Sequence, residues 1–285
     1  MIEIKSDKII AGVDPKLGAR LSHLSYGPDS ANLLYNHCFE ESVNTWHHGG
    51  IPLLFPFAGR VYDQGARGQY RAGGQCFKMP IHGFVHNQPF KVIKHQQNSV
   101  TLQFLDNETT NAIYPWRFRL TMAWTVSDDS VKWKVHVQNR GCLLPEKTDM
   151  PFSLGLHPYF ATYDLPFLTL QTHAIKKQEV TKEGLGGEIT SLETPVIDVK
   201  NPEFHNLILR DFIDPTTILA NHRYTIRMYS PKSKVYVLWS SNIDQFFCLE
   251  PWMGLPDAIH NHYGLYRLPL SEGFTWEGRL SFTAT

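Results

Sequence analysis

The sequence predicts an all-β protein, built as one large antiparallel β-sandwich. In the segment Val131–Val137, apolar residues at odd positions alternate with polar residues at even positions, which is the period of a half-buried strand. No long window shows the periodicity of an amphipathic helix. The 20 glycines and 18 prolines interrupt the chain throughout, as expected for many short strands joined by turns.

Three neighbouring segments form the clearest group of predicted strands. Apolar residues alternate in Val100–Phe104, again in Phe118–Val126, and a third time in Val131–Val137. The link Ser127–Ser130 reads Ser-Asp-Asp-Ser, a composition that favours a turn. We therefore expect these segments to form an antiparallel meander with one face buried.

The second half of the chain continues the strand pattern. Tyr224–Met228 alternates, Val235–Trp239 predicts a fully buried strand, and Arg279–Thr285 predicts a closing strand. The polar stretch 176–195 instead predicts a mobile surface excursion. No linker, repeat or low-complexity block divides the chain, so we expect a single domain over residues 1–285.

Composition narrows the range of partners. Lys plus Arg and Asp plus Glu both number 27, so the chain has no net field that would attract nucleic acid. No apolar run approaches the about 20 residues of a membrane span, so no membrane partner is expected. The four cysteines are scattered and favour reduced thiols in a cytoplasm. The balance of charges does not distinguish a monomer from a homodimer.

Three polar residues have unusually apolar or proline-flanked surroundings, namely His82, His157 and Glu250, and Arg60 ends an apolar run. Glu250 follows four apolar residues, which favours a catalytic base over a structural ion pair at a strand end. Each histidine alone is equally consistent with hydrogen bonding inside a core. Arg60 follows Gly59 and either forms a salt bridge or presents its guanidinium donors to a ligand.

The strings around these residues carry a family resemblance. They are Pro52-Leu-Leu-Phe-Pro-x-x-Gly-Arg60, Met79-Pro-x-His82-Gly-Phe84, Met150-Pro-Phe-Ser-Leu-Gly-x-His157-Pro-x-Phe160 and Leu249-Glu250-Pro-Trp252, with Leu268-Pro-Leu-Ser-Glu-Gly273 as a closing segment. In this order they resemble the aldose 1-epimerase (galactose mutarotase-like) family. The resemblance implies a β-supersandwich fold and cofactor-free interconversion of the α and β anomers of a free sugar.

The resemblance also implies a role for each residue. Glu250 would be the catalytic base and His157 the catalytic acid, with His82 and Arg60 holding the sugar. Apart from the resemblance, Trp252, Trp46 or Tyr159 offers a flat apolar surface for substrate binding, although aromatic residues in such strings also belong to a core. Asp214, with Asp211 as the fallback, matches an Asp that grips sugar hydroxyls, although a turn-initiating role before Pro215 fits equally well.

Three alternatives remain open at the level of sequence. Val61–Gln64 departs from the typical galactose mutarotases. The nearby cations Arg67, Arg71 and Lys78 either form a solvated charged loop or allow a hexose 6-phosphate as substrate. A metal hydrolase would need ligands from the pairs His47 and His48, His82 and His86, and His260 and His262. A non-catalytic sugar-binding or regulatory protein would need neither an acid nor a base. We expect no metal and no cofactor.

Overall fold

The structure, a computed structural model, describes residues 1–27, 31–36, 48–163 and 169–284. A first sheet contains β1 (Ile2–Lys5), β2 (Ile9–Asp14) and β3 (Arg20–Tyr26). Short strands follow at β4 (Leu53–Leu54), β5 (Tyr62–Asp63), β6 (Ala66–Arg67), β7 (Gln69–Ala72) and β8 (Gln75–Lys78). Next come β9 (Lys91–Gln96), β10 (Ser99–Leu105), β11 (Trp116–Val126), β12 (Ser130–Cys142), β13 (Met150–Phe152), β14 (Gly155–Leu156) and β15 (Tyr159–Ala161).

The remaining strands are β16 (Thr169–Val180), β17 (Gly186–Ser191), β18 (Val196–Asp198), β19 (Asn206–Ala220), β20 (Tyr224–Tyr229), β21 (Val235–Trp239), β22 (Phe246–Trp252), β23 (Tyr266–Leu268) and β24 (Gly273–Ala284). The α-helices α1 (Glu108–Ile113) and α2 (Ala258–Asn261) are short, as are the 3-10 helices Val85–Asn87 and Pro202–Phe204. No helix of the described chain has the length and apolarity to cross a membrane.

One large sheet dominates the fold. Its strands lie in the order β4-β14-β22-β21-β19-β20-β24-β12-β11-β10-β9, and neighbouring strands pair antiparallel. The meander β10-β11-β12 is therefore confirmed, and so is a strand over Val235–Trp239, in which all residues are buried except the partly exposed Trp239. In β11 every second residue from Trp116 to Val126 is buried, which agrees with the predicted period of two.

The stretch 176–195 lies at the surface, as predicted, but it contains regular strands that were not predicted. Residues up to Val180 belong to β16, and Gly186–Ser191 forms β17, which pairs with β16. The side chains of β17 are largely exposed, which explains the polar composition: an edge hairpin has no apolar face to bury. The closing strand was predicted correctly, but β24 begins earlier than expected, at Gly273.

Gly83 is packed too closely for any side chain. A Cβ atom at this position would lie 1.9 Å from the carbonyl oxygen of Phe55, and its φ of 76° also disfavours residues other than glycine. We expect Gly83→Ala to lower the free energy of unfolding by more than about 3 kcal/mol in urea titrations. Gly65→Ala is the matched control, because Gly65 has a φ of 85° with open space around it. It should cost only about 1 to 2 kcal/mol. Equal losses for the two variants would contradict the steric argument.

Candidate active site

A cavity of about 480 Å³ lies against strands β21 and β22, a size within the usual range for small-molecule sites. Five of the six predicted site residues line it: Arg60, His82, His157, Glu250 and Trp252. Tyr159, which was considered as an apolar surface for the sugar, lines it too. Trp46 lies outside the described residues. Segments far apart in the sequence thus meet around one cavity.

Strand register brings His157 and Glu250 together. Glu250 lies in β22, where every residue is buried. On one side of β22, Gly155 pairs with Trp252 and Tyr159 pairs with Cys248, so the same register places His157 opposite Glu250. Directly opposed residues of an antiparallel pair have Cβ atoms only about 5 Å apart. The two side chains therefore meet, with His157 Nε2 at 3.3 Å from Glu250 Oε2.

The surroundings of this pair favour its uncharged forms. The exposed fraction is 1% for Glu250 and 4% for His157. Burial raises the pKa of Glu250 well above 4.5, although the Trp252 indole, which donates to Oε2 at 3.2 Å, opposes the shift. Burial also lowers the pKa of His157 well below 6.5, and His82 and His48 add to the shift. The two groups therefore titrate as one coupled pair.

With the pKa of Glu250 raised, the pKa of His157 lowered and the two groups 3.3 Å apart, the pair can hold one transferable proton in two arrangements. The proton is either on Glu250, beside neutral His157, or on His157, beside an ionised carboxylate. Both arrangements have the same net charge, so exchange between them needs no proton from solvent. An acid and a base that share one proton suit a reaction that moves a proton from one substrate oxygen to another.

Tyr159 supports the imidazole of His157. Its ring stacks on the His157 ring at a centroid distance of 4.4 Å and an interplanar angle of 5°. The Tyr159 hydroxyl also lies 3.4 Å from His157 Nε2. Tyr159 is fully buried, so its ring fixes the orientation of the histidine and forms part of the cavity wall.

The backbone fixes the tautomer of His82. The Gly59 amide donates to His82 Nδ1 at 3.1 Å, and the His82 amide donates to the Gly59 carbonyl at 2.7 Å. Because Nδ1 accepts a hydrogen bond, the neutral ring carries its proton on Nε2. Burial lowers the pKa of His82 well below 6.5, with contributions from His86, Arg60 and His48. The neutral His82 ring therefore has an Nε2–H donor in the wall of the cavity.

This shift has a consequence for stability at acid pH. The pKa of His82 is well below 6.5 in the folded protein and close to 6.5 in the unfolded chain, so the unfolded chain binds the proton first. The contribution of neutral His82 to the free energy of unfolding is therefore fully present above pH 6.5. It decreases as the pH falls towards the folded pKa, by up to about 1.4 kcal/mol per pH unit.

The substitution His82→Gln tests this contribution, because glutamine can also accept the Gly59 hydrogen bond but does not titrate. Urea unfolding at pH 7 and 5.5 should show a smaller acid loss in His82→Gln than in the wild type, and identical losses would count against a neutral His82.

Arg60 lies half-buried at the edge of the cavity. Among the described residues, no carboxylate forms a salt bridge with it, so the structural salt bridge considered from sequence is not found there. Burial lowers its pKa, and the nearby Arg67 lowers it further. Its side chain packs on Gly184, where a Cβ atom would lie 3.2 Å from Arg60 Cδ. The guanidinium thus faces the cavity with its donors available.

The placement predicted for Asp214 was wrong. Its side chain is exposed and accepts a hydrogen bond from the Thr216 amide at 2.9 Å, which is the turn geometry of an Asp before proline. The fallback Asp211 lies 3.5 Å from Lys176 and 3.6 Å from Arg210 in ion pairs. Neither carboxylate lines the cavity, and both lie in the part of β19 where its register against β16 shifts.

One group of side chains in the described residues could hold a metal ion: His157, Cys248 and Glu250, with ligand atoms within 4.8 Å of one another. Burial and the neighbouring Glu250 raise the pKa of the Cys248 thiol well above 9.0. The histidine pairs considered from sequence form no three-ligand group in the described chain, and His47 lies outside it.

Several cavity residues were not predicted from sequence. Thr181, Lys182 and Gly184 belong to the turn between β16 and β17, and Trp239 ends β21. The Tyr62 hydroxyl donates to the Glu183 carbonyl and so holds this turn against the Arg60 segment. The sequence indicated a surface excursion in this region, but no local signal could indicate which surface it covers.

The chain matches a known protein family over nearly its whole length. The family model described as Aldose 1-epimerase matches residues 4–282. The chain belongs to the aldose 1-epimerase family. The chromosomal Protein LacX of Lactococcus lactis subsp. lactis is 28% identical over 279 residues, which cover 90% of this chain and 89% of that protein.

Solved structures share the fold of this aldose 1-epimerase family member. The Slr1438 protein of Synechocystis sp. PCC 6803 has a TM-score of 0.87 and 21% identity, covering 100% of this chain and 96% of that chain. A galactose mutarotase-like protein of Lactobacillus casei ATCC 334 has a TM-score of 0.82 and 21% identity, covering 99% and 100% respectively. The supersandwich fold implied by the four sequence strings is thereby confirmed.

Proposed function

We propose that the chain is an aldose 1-epimerase that interconverts the α and β anomers of a hexose by opening and reclosing the ring. The observation that carries the proposal is the contact of 3.3 Å between His157 and Glu250 in the wall of a cavity of sugar size. This pair provides one acid and one base that hold a single proton between them. Family membership supports the same reaction class.

The ring opens by two proton transfers. The reactive arrangement has an ionised Glu250 and a protonated His157. Glu250 removes the proton from the anomeric hydroxyl, and the bond from C1 to the ring oxygen breaks as C1 becomes a carbonyl carbon. His157 Nε2 gives its proton to the ring oxygen, which leaves Glu250 protonated and His157 neutral. Each positioned group of this kind contributes about 100- to 10,000-fold in rate.

The ring then closes from the other face. The aldehyde rotates about the C1–C2 bond, and the hydroxyl oxygen on C5 attacks the opposite face of C1. His157 takes the proton back from this oxygen, while Glu250 returns its proton to O1. The starting arrangement of the pair is restored without exchange with water. His82, through its Nε2 proton, and Arg60 hydrogen-bond the sugar oxygens on which charge develops.

The experiment is polarimetry of freshly dissolved α-glucose and α-galactose at neutral pH. The proposal expects the wild-type protein to bring both sugars to anomeric equilibrium far faster than buffer alone. Calorimetric titration with the same sugars separates the non-catalytic alternative. Binding without acceleration would overturn the proposal in favour of a sugar-binding protein.

A further inference from the structure

The thiol of Cys248 lies beside the His157–Glu250 pair and has no role in the proposed reaction. Cys248 and Glu250 are two residues apart in β22, so their side chains lie on the same face of the strand. The partner of Cys248 in the neighbouring strand is Tyr159, which follows His157 by two residues. One nitrogen, one sulfur and one carboxylate oxygen therefore lie within 4.8 Å of one another in a buried group. These are the ligand atoms that Zn²⁺ binds in proteins.

The spacing of the three atoms is close to that around a tetrahedral Zn²⁺ ion. Zn²⁺ bonds nitrogen and oxygen at about 2.0 to 2.2 Å and sulfur at about 2.3 Å, so its ligand atoms lie about 3.3 to 3.6 Å apart. His157 Nε2 and Glu250 Oε2 are already 3.3 Å apart. The Cys248 sulfur, at no more than 4.8 Å from either, needs to approach by at most about 1.5 Å.

An ion can reach this group from solvent, because His157 and Glu250 line the cavity. Three protein ligands beside an open cavity also match the sites in which Zn²⁺ keeps a fourth, exchangeable position. Two neighbours hold the ligands in place: the Tyr159 ring stacks on the His157 ring, and the Trp252 indole donates to Glu250. Such outer contacts strengthen metal sites by fixing the orientation of the ligands.

Binding of Zn²⁺ would leave the net charge of this buried group unchanged. Before binding, the Cys248 thiol is neutral, and the His157–Glu250 pair with its single proton is neutral as a whole. After binding, the thiolate and the carboxylate carry two negative charges, which balance the two positive charges of the ion. The thiol proton and the proton of the pair leave to solvent. The exchange therefore avoids the large cost of burying an unbalanced charge.

We infer that His157, Cys248 and Glu250 form a Zn²⁺ site and that the bound ion inhibits anomer interconversion. This inference rests on the proposed function, since the ion occupies the nitrogen and the carboxylate that exchange protons with the sugar. Bound to Zn²⁺, His157 cannot protonate the ring oxygen and Glu250 cannot take the anomeric proton. The reaction itself needs no metal. The sulfur ligand makes the site selective for Zn²⁺ over Mg²⁺, which prefers oxygen ligands.

The test of inhibition is polarimetry in a buffer that does not bind metals. We expect ZnCl₂ to abolish the wild-type acceleration and EDTA to restore it, whereas MgCl₂ at the same concentration should have no effect. Cys248→Ala should keep the metal-free rate, because Cys248 does not line the cavity. It should raise the Zn²⁺ concentration for half-inhibition by more than about 100-fold, since even loss of an outer contact costs about 10- to 100-fold in metal affinity.

Two further variants make this comparison specific. Cys142→Ser is the matched control, because it removes a partly exposed thiol elsewhere in the chain, and Zn²⁺ should inhibit it as it inhibits the wild type. Cys248→Ser keeps the size of the side chain and replaces Cys248→Ala if the alanine variant does not fold. Equal inhibition of the wild type and of the folded Cys248 variant would overturn the inference and leave the proposed function intact.

Cobalt binding tests the site without turnover. Co²⁺ occupies the same tetrahedral sites as Zn²⁺, and a bond from Co²⁺ to a thiolate gives a charge-transfer band in the near ultraviolet. We expect this band in the wild type and in Cys142→Ser but not in Cys248→Ala, and its absence from the wild type would overturn the inference. The band in a protein that accelerates no sugar would support the metal site but overturn the proposed function and, with it, the inhibition.

Discussion

Glu250→Gln lowers kcat for anomer interconversion by about a thousandfold, within the range expected for loss of a general base. Glutamine has nearly the same shape as glutamate and its side-chain oxygen still accepts the hydrogen bond from Trp252, but the amide cannot take a proton from the anomeric hydroxyl. The substitution also removes a carboxyl group whose burial raises its pKa well above 4.5. We therefore expect the variant to unfold at the same temperature as the wild type or at a higher one.

The measurement is polarimetry at saturating sugar, with thermal unfolding followed by circular dichroism. Glu277→Gln is the matched control, since Glu277 is an exposed glutamate of β24 outside the catalytic cavity, and it should keep the wild-type rate. If Glu250→Gln retained the wild-type rate, Glu250 would not be the base. A loss of rate that accompanied unfolding would instead assign Glu250 a structural role.

His157→Asn should lower kcat by about 100- to 1,000-fold, because asparagine cannot protonate the ring oxygen. The variant should also change the dependence of kcat/KM on pH. In the wild type, activity requires one proton on the pair, so the rate falls when a second proton binds and when the last proton leaves. Burial moves the His157 pKa well below 6.5 and the Glu250 pKa well above 4.5, so we expect a bell-shaped profile.

In His157→Asn the remaining rate depends on ionisation of Glu250 alone. The rate should therefore rise with pH through the Glu250 pKa and then stay constant, without a fall on the alkaline side. Stopped-flow polarimetry across pH 4 to 10 distinguishes the two profiles. His95→Asn, at an exposed position in β9, is the control and should retain the bell shape. A bell-shaped profile in the His157→Asn variant would show that His157 is not the proton donor.

Much of the fold could be predicted because strand signals are local. Buried and exposed residues alternate along β11 and β12, and β21 is an apolar run. Both patterns can be recognised from residues that are close together in the sequence. The β16–β17 hairpin was missed because both faces of β17 are exposed, which removes the alternation by which a strand is recognised. The Asp214 assignment failed for a related reason, since an Asp before proline has the same local sequence in a turn and in a binding site.

The sequence by itself determined the strand-rich architecture and the identities of Arg60, His82, His157 and Glu250. Only the tertiary structure decided how these residues meet. The register of β22 against Gly155 and Tyr159 places His157 opposite Glu250, and the turn after β16 brings Lys182 to the same cavity. Such contacts depend on strand pairing between segments far apart in the chain. Local periodicity determines which face of a strand is buried, whereas the neighbouring strand and its alignment are set by packing of the whole sheet.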